Sequence, residues 1–414
     1  MSSASALWRD RDFVRLWLAQ GVSAFGARVT REGLPIAAVL GLGASPAQLG
    51  VLSALSHGPA LVVGLAAGGL VDRSRRRGLM MAADLVRALI LASIPVAALL
   101  HVLTLSQLYV AAALVGAASV LFEIADHAFL PGLVAREHLT RANASLSATE
   151  SVAEIGGPAL AGALFQVLAA PLAIAVNAAT YLVSAVFLAA IRHREPEPRP
   201  EPHAQWTDDV RLGFASGLRH PLARPVFLSS WMQALAGGMF GALYILFCVR
   251  VVGLNPGLLG LTIAAGGVGA LIGAVVAGWL SGRLGVGRSF IGAQVLVAAS
   301  IAIIPLSPPS PEQGMLFLVV SQILGDALGV ATLILGTSLI QTVMPPGVLG
   351  RVNATFKAVS GGLAVVGALA GGLLGEAIGV RGAIWVGVGG LAIAPLLSLP
   401  GPLKRLRAMP SGPD

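Results

Sequence analysis

Apolar stretches of about 20 residues recur along the whole chain, and they limit its fold more than any other feature. Each is long enough for one α-helix to cross the hydrocarbon core of a bilayer. Only 11% of the 414 residues are charged, far below the share that covers a water-soluble domain. The sequence therefore predicts an all-α membrane protein with about twelve transmembrane helices. The predicted spans are approximately 13–40, 47–71, 79–101, 106–130, 143–169, 171–191, 224–249, 256–281, 289–307, 314–343, 353–378 and 382–400.

Positive charge is distributed unevenly between the predicted loops. All but five of the 27 Lys and Arg residues lie at the N-terminus or in connections after even-numbered spans. The loops after spans 1, 3, 5 and 9 contain none. Because positively charged loops stay on the cytoplasmic side, we expect both termini in the cytoplasm of a multi-pass cell-membrane protein. The formal net charge of +8 is then a topology signal, and nucleic acid is not an expected partner.

The chain repeats itself at a constant spacing of 210 residues. Two six-helix bundles with the same orientation follow, related by a pseudo-two-fold axis along the membrane normal. A stretch of alternating proline and charge separates them, because such a sequence cannot form a packed helix. We therefore expect an N-terminal bundle at 1–191, a cytoplasmic linker at 192–220, and a C-terminal bundle with a short cytoplasmic tail at 221–414. The matched pairs include Pro46 with Pro256, Gly50 with Gly260, Arg141 with Arg351, Asn143 with Asn353, and Gly162 with Gly372.

Two short motifs carry a family resemblance. After span 2 the chain reads Gly-Gly-Leu-Val-Asp-Arg-Ser-Arg-Arg-Arg, and span 5 contains Gly157, Pro158 and Gly162. The first resembles the loop 2–3 signature of the major facilitator superfamily. The second is similar to the Gly-Pro-x-x-x-Gly element of its 12-span drug:proton antiporter branch. The resemblance covers nearly the whole chain. It implies the major facilitator fold, a bendable span 5, and a gating role in loop 2–3 for Gly68, Leu70, Asp72, Arg73, Arg76 and Arg77.

Ionisable residues inside the spans are the candidates for transport chemistry, because charge is costly in a bilayer. Arg28 and Glu32 are four residues apart in span 1, so we expect them to neutralise each other on one helical face. Buried carboxylates can exchange protons or attract a cationic amphiphile. Spans 1, 4, 7 and 10 line the cavity in the family that the motifs resemble, which favours Glu32, Glu123 and Asp326. The full set of substrate and proton candidates is Arg28, Glu32, Glu123, Glu150, Glu154, Trp231, Gln233 and Asp326.

These features favour a secondary transporter that exports a small hydrophobic molecule by alternating access, with protons as the coupling ion. The cargo class is a drug, an antibiotic, a siderophore or a metabolite. Span 4 carries no arginine between Tyr109 and Phe122, where exporters of this superfamily often have one, which argues against proton coupling by their usual arrangement. An importer, a symporter or an uncoupled facilitator of a small metabolite on the same scaffold remains open.

A membrane-embedded enzyme is a more distant alternative. The sequence contains no His-Glu-x-x-His or Gly-x-Ser-x-Gly motif, and it has no clustered histidines or cysteines. We therefore expect no catalytic residue, no metal and no cofactor. The expected partners are the lipid bilayer, the transported small molecule and protons, and the expected functional state is a monomer.

Overall fold

The computed structural model describes residues 7–63, 73–193, 195 and 206–410, of which 206–210 are described by their backbone alone. Within these residues the secondary structure is helical throughout. Gly68, Leu70 and Asp72 of the loop 2–3 motif lie outside the described residues, and so does the stretch 196–205 of the predicted linker.

The chain divides into two compact units. The first comprises Met1–Ala44 and Leu55–Pro202, and the second comprises Ser45–Ala54 and His203–Asp414. The division at 202 falls inside the predicted linker, while the start of the second predicted span groups with the second unit. The helices that correspond to spans 1 to 6 are α1 (Arg11–Ile36), α2 (Pro46–His57), α3 (Arg76–Leu99), α4 (Leu105–Leu133), α5 (Leu139–Val167) and α6 (Ala170–Ala190).

The part of the second unit that follows residue 202 contains a helix that the sequence pattern did not predict. Residues 206–219 were expected to be part of a solvated linker, but they form α7 (Trp206–Arg219), which packs against α8 and α12. Gly213 lies so close to Arg351 that a Cβ atom there would be 2.5 Å from its carbonyl oxygen. The remaining helices correspond to spans 7 to 12: α8 (Ala223–Leu246), α9 (Pro256–Leu284), α10 (Val286–Ala302), α11 (Pro311–Val343), α12 (Pro346–Ile378) and α13 (Val380–Ser398).

Eight helices within the described residues are long and apolar enough to cross a membrane. The helices α1, α2 and α5 are not among them, and α10 is a shorter apolar helix. The predicted fold class, an all-α membrane protein of about twelve helices in two pseudo-symmetric bundles, is confirmed.

The repeat seen in the sequence extends to the helix boundaries. Three pairs of equivalent helices begin 210 residues apart, and α1 and α8 also end in the same way. Each runs into a wider π-helical turn and stops at a glycine with positive φ, Gly43 at 65° and Gly253 at 83°. Glycine adopts this left-handed conformation without the steric cost that a side chain brings. The helix pairs that start 210 residues apart are α2 and α9, α3 and α10, and α6 and α13.

Close backbone contact at small residues joins neighbouring helices inside each unit. In the second unit, Gly269 and Gly273 of α9 face α11, and a Cβ atom on either would lie 2.9 Å from the Cα atom of Ile323 or Ala327. Lipid offers no hydrophobic drive for helices to associate, so van der Waals packing at such contacts holds them together.

This packing predicts that adding one methyl group at the α9–α11 contact destabilises the protein. Gly269→Ala should lower the free energy of unfolding by about 1–3 kcal/mol, because the two backbones must separate. Gly278→Ala is the matched control, since Gly278 lies on the same helix and a Cβ atom there meets nothing within 4 Å. The control should be neutral or slightly stabilising, because alanine favours the helix. Thermal unfolding in detergent measures both variants, and equal effects would contradict the packing role.

Candidate substrate and proton site

An interhelical group of intramembrane charges lies where α1 packs against α5 in the first unit. The Arg28 guanidinium forms an ion pair with one carboxylate oxygen of Glu154, and Arg31 contacts the other oxygen at 3.1 Å. The Arg28 side chain is only 9% exposed, whereas 49% of the Glu154 side chain is exposed. Two cations on α1 therefore share one carboxylate from α5.

Gly157 provides the space that this ion pair needs. A Cβ atom at Gly157 would lie 2.5 Å from Cγ and 2.6 Å from Cβ of Arg28, so the arginine stem rests directly on the α5 backbone. Gly157, Pro158 and Gly162 are all buried, and α5 continues as one helix through the proline. The hinge role of these three residues remains a prediction. The contact of the Arg28 side chain with the helix backbone at Gly157 could not be predicted from the sequence.

Arg28 forms its ion pair with Glu154 of α5, and Glu32, four residues away on α1, lies outside ion-pair distance. Glu32 is buried, with 8% of the residue exposed, and none of the described cations lies within ion-pair distance of it. The reason is tertiary packing: α5 brings the Glu154 carboxylate to Arg28, and the empty side-chain position at Gly157 directs the arginine stem onto α5. A buried carboxylate with no paired cation among the described residues thus lies one helical turn from the Arg28–Glu154 pair.

The other first-unit candidates do not join this group through ion pairs between described residues. Glu123 of α4 is 73% exposed and lies 3.9 Å from the imidazole of His127 on the same helix. Glu150 is exposed on α5. A different carboxylate links α4 to α1, because the Gln20 side chain donates a hydrogen bond to Asp126.

The second unit places its candidates in two different environments. Trp231 of α8 is buried in an apolar cluster and stacks on Phe214 of α7 with 5.6 Å between ring centroids. Gln233, on the same helix, is partly exposed. Asp326 of α11 is exposed beside Gly266 of α9, where a Cβ atom would lie 3.2 Å from the aspartate Cγ. Trp231 is thus surrounded by apolar side chains, and Asp326 occupies the space that the missing side chain of Gly266 leaves.

Comparison of equivalent positions shows that the Arg28–Glu154 pair belongs to the first unit alone. At a spacing of 210 residues, Gly238 replaces Arg28 and Ala364 replaces Glu154. There a Cβ atom on Gly238 would lie 2.9 Å from the Ala364 Cα atom, so the two helices touch through their backbones. The first unit therefore has an ion pair at the position where the second unit has a close backbone contact between two helices.

A similar difference between the repeats occurs at Asp326, but here the charged residue lies in the second unit and the glycine lies in the first. Its equivalent in the first unit is Gly116, and the equivalent of Gly266 is Ser56. A Cβ atom on Gly116 would lie 2.7 Å from the Ser56 carbonyl oxygen, again a close backbone contact. Both charged sites can be found in the sequence by comparing the two repeats position by position, because each site has a charged residue in one repeat and a glycine in the other.

The described part of the loop 2–3 motif lies at the start of α3. Arg73 is exposed in a turn, and Arg76 and Arg77 form the first helical residues. Their backbone N–H groups donate to the two carboxylate oxygens of Glu195 at 2.7 and 2.8 Å. The start of α3 is therefore hydrogen-bonded to the segment that follows α6. The gating role of the motif remains a prediction.

Comparison with known proteins gives one consistent result along the chain. A family model described as transmembrane secretion effector matches residues 2–413. The MFS-type transporter YfiS of Bacillus subtilis (strain 168) is 26% identical over 90% of this chain and 88% of its own length. The enterobactin exporter EntS of Citrobacter koseri is 27% identical over 88% and 86%. The multidrug efflux pump Tap of Mycolicibacterium fortuitum is 27% identical over 78% and 79%.

Solved structures show the same architecture. A crystal structure of a mutant form of the nucleoside transporter NupG superposes with a TM-score of 0.76, covering 94% of this chain and 99% of the other. Its sequence identity of 12% makes this a likeness of fold alone.

The different burial of Arg28 and Arg31 predicts different coupling energies to their shared partner. In double-mutant cycles built from Arg28→Gln, Arg31→Gln and Glu154→Gln, the Arg28–Glu154 coupling should be about 1–3 kcal/mol. The Arg31–Glu154 coupling should stay below about 1 kcal/mol, because both of its partners are half exposed. Unfolding free energies from denaturing-detergent titration measure both cycles. Equal coupling energies would show that the burial of Arg28 does not strengthen its interaction with Glu154.

Proposed function

Because this chain belongs to the transmembrane secretion effector family of the major facilitator superfamily, we propose that it exports a small hydrophobic molecule from the cell. The EntS and Tap relatives are an enterobactin exporter and a multidrug efflux pump, and both align with most of the chain. A drug, an antibiotic, a siderophore or a metabolite is the corresponding class of cargo.

We propose proton antiport through alternating access as the mechanism, and the Arg28–Glu154 pair is the observation that carries it. Protonation of Glu154 removes the counter-ion of a buried guanidinium, and an unpaired buried charge is costly. The two protonation states of one carboxylate therefore favour different packings of α1 against α5. Glu32, buried one turn away without an ion-pair partner among the described residues, is the second group proposed to take up a proton.

The proposed orientation places both termini in the cytoplasm, following the distribution of arginine between the loops. We propose a monomer as the functional unit, because each bundle buries its own apolar clusters. An importer on the same scaffold is the rival function, and it reverses the sign of cargo accumulation when the protein is lost. An uncoupled facilitator would move its cargo without any response to the proton gradient.

Efflux measured in a pump-deficient bacterial host tests this function. Expression of the protein should lower the accumulation of a hydrophobic cationic dye, and a proton uncoupler should abolish the effect. Glu154→Gln and Glu32→Gln should each remove the response to an imposed pH gradient, because glutamine cannot exchange a proton. Glu137→Gln is the matched control, since Glu137 is 79% exposed in the turn before α5.

The possible results separate the alternatives clearly. Efflux by the wild type that resists the uncoupler would refute antiport while leaving export intact. Higher dye accumulation on expression would indicate an importer. If Glu154→Gln, Glu32→Gln, Glu123→Gln and Asp326→Asn all transported normally at wild-type protein levels, the assignment of protons to these carboxylates would be wrong.

A further inference from the structure

A basic cavity lies at the end of the first unit where α3 begins and α6 ends, on the predicted cytoplasmic side. Its volume is about 700 Å³, within the range of roughly 300–1,000 Å³ that is common for small-ligand sites. The residues that line it are Arg75, Arg77, Gly78, Met81, Arg192, His193 and Glu195. Among the described residues, the lining of this concave site therefore contains three guanidinium groups and a single carboxylate.

The wall of the cavity is fixed by hydrogen bonds from three directions. The Glu195 carboxylate accepts from the first backbone N–H groups of α3, and the Arg77 guanidinium donates to the Ile191 carbonyl. The Asp12 carboxylate at the start of α1 accepts from the backbone N–H groups of Arg192 at 3.1 Å and His193 at 2.9 Å. Burial raises the pKa of Asp12, but these backbone bonds and the Arg15 guanidinium at 2.8 Å together outweigh burial and hold the pKa below its ordinary value. The segment after α6 is thus anchored without using the side chains of Arg75 or Arg192.

The described lining of the cavity carries more positive than negative charge. Glu195, its one carboxylate among the described residues, is engaged by two backbone N–H groups. Among the described residues, no carboxylate lies within ion-pair distance of Arg75 or Arg192. Two guanidinium groups are therefore available for an external anion, and planar guanidinium donors match the oxygen atoms of a phosphate group.

The second unit closes the equivalent place, with uncharged residues at five of the seven positions and with Arg288 and Arg405 where the first unit has Gly78 and Glu195. Gly285, Gly287, Pro402 and Leu403 stand where the first unit has Arg75, Arg77, Arg192 and His193. The N–H groups at the start of α10 donate to backbone carbonyls of the C-terminal tail, Val286 to Arg407 and Gly287 to Leu406. A Cβ atom on Gly287 would lie 2.7 Å from the Leu403 carbonyl carbon, so no space remains there. The same structural element is a closed cap in one repeat and a basic cavity in the other.

The face of α3 that lines the cavity continues into the lipid-facing surface. Met81 lines the cavity, and Leu85 and Leu89 follow at intervals of four residues on the same face. They are 44% and 71% exposed, as expected for side chains in contact with acyl chains. An anion held by the arginines therefore has an apolar surface directly beside it, which a free phosphate ion would not use.

We propose that this cavity binds the phosphate-bearing headgroup of an anionic phospholipid, with Arg75 and Arg192 as its principal ligands. The headgroup occupies the cavity at the start of α3, and the acyl chains lie along Leu85 and Leu89. Basic pockets between transmembrane helices on the cytoplasmic side are suited to such headgroups. This lipid site is separate from the proposed proton path at α1 and α5, so either can fail without the other.

Native mass spectrometry of the full chain in detergent tests the site, with bound phosphatidylglycerol and phosphatidylcholine counted in competition. The wild type should retain one phosphatidylglycerol in preference to phosphatidylcholine. Arg75→Gln/Arg192→Gln should weaken phosphatidylglycerol binding by about 30-fold, from the loss of two cations that act on an anionic headgroup. Arg9→Gln/Arg136→Gln removes two exposed cations outside the cavity from the same predicted side, and it should bind as the wild type does.

A charge-conserving variant, a check of folding and a competition with phosphate complete the test. Arg75→Lys/Arg192→Lys keeps both charges, so it should bind more tightly than the glutamine variant, and gel filtration confirms that each variant is folded. Equal retention of the two lipids by the wild type would overturn the proposal, and so would equal losses in the cavity and control variants. Displacement of the lipid by millimolar inorganic phosphate would overturn the phospholipid assignment and leave a site for free phosphate instead.

Discussion

Close approach of helix backbones at small residues is the interaction on which the rest of this structure depends. Helices in lipid gain nothing from hiding apolar surface, so packing at glycine and alanine holds each bundle together. Gly238 against Ala364 and Gly269 against Ile323 are contacts of this kind. Such contacts are tight. A larger side chain can be placed in one only if the helices move apart or if the facing residue on the other helix changes as well. The Arg28–Glu154 pair and Asp326 occupy places where both members of such a contact differ between the repeats.

The Arg28–Glu154 pair illustrates this constraint. The arginine stem fits only because residue 157 is a glycine, and its guanidinium is buried only because α5 supplies a carboxylate. The second unit has glycine and alanine at the corresponding positions and packs them directly. An ion pair that buries a guanidinium is weak support for stability when close packing is the alternative. Its presence in one repeat is better explained by chemistry in transport than by folding, and the proposed proton exchange is such a chemistry.

Most of the fold could be predicted from the sequence, because its signals are local. A length of about 20 apolar residues identifies a span, and the constant spacing between Pro46 and Pro256 marks the start of the same helix in each repeat. The helix at 206–219 was missed because proline and charge upstream dominated the composition of its neighbourhood. The pairing of Arg28 was missed for another reason. Spacing along one helix identifies neighbours on that helix, whereas the true partner comes from α5 and depends on how two helices pack.

The ends of α3 and α10 show how a symmetric scaffold can acquire a site without a change of fold. Both helices begin with N–H groups that need acceptors, and in both units the segment after the sixth span provides them. In the second unit backbone carbonyls fill this role, and glycine at 287 lets the tail lie against the helix. In the first unit Glu195 reaches the N–H groups with a side chain, so its backbone need not approach them. The space left between the segment and the helix is then lined by arginine, and the cap that fixes the helix also creates the cavity.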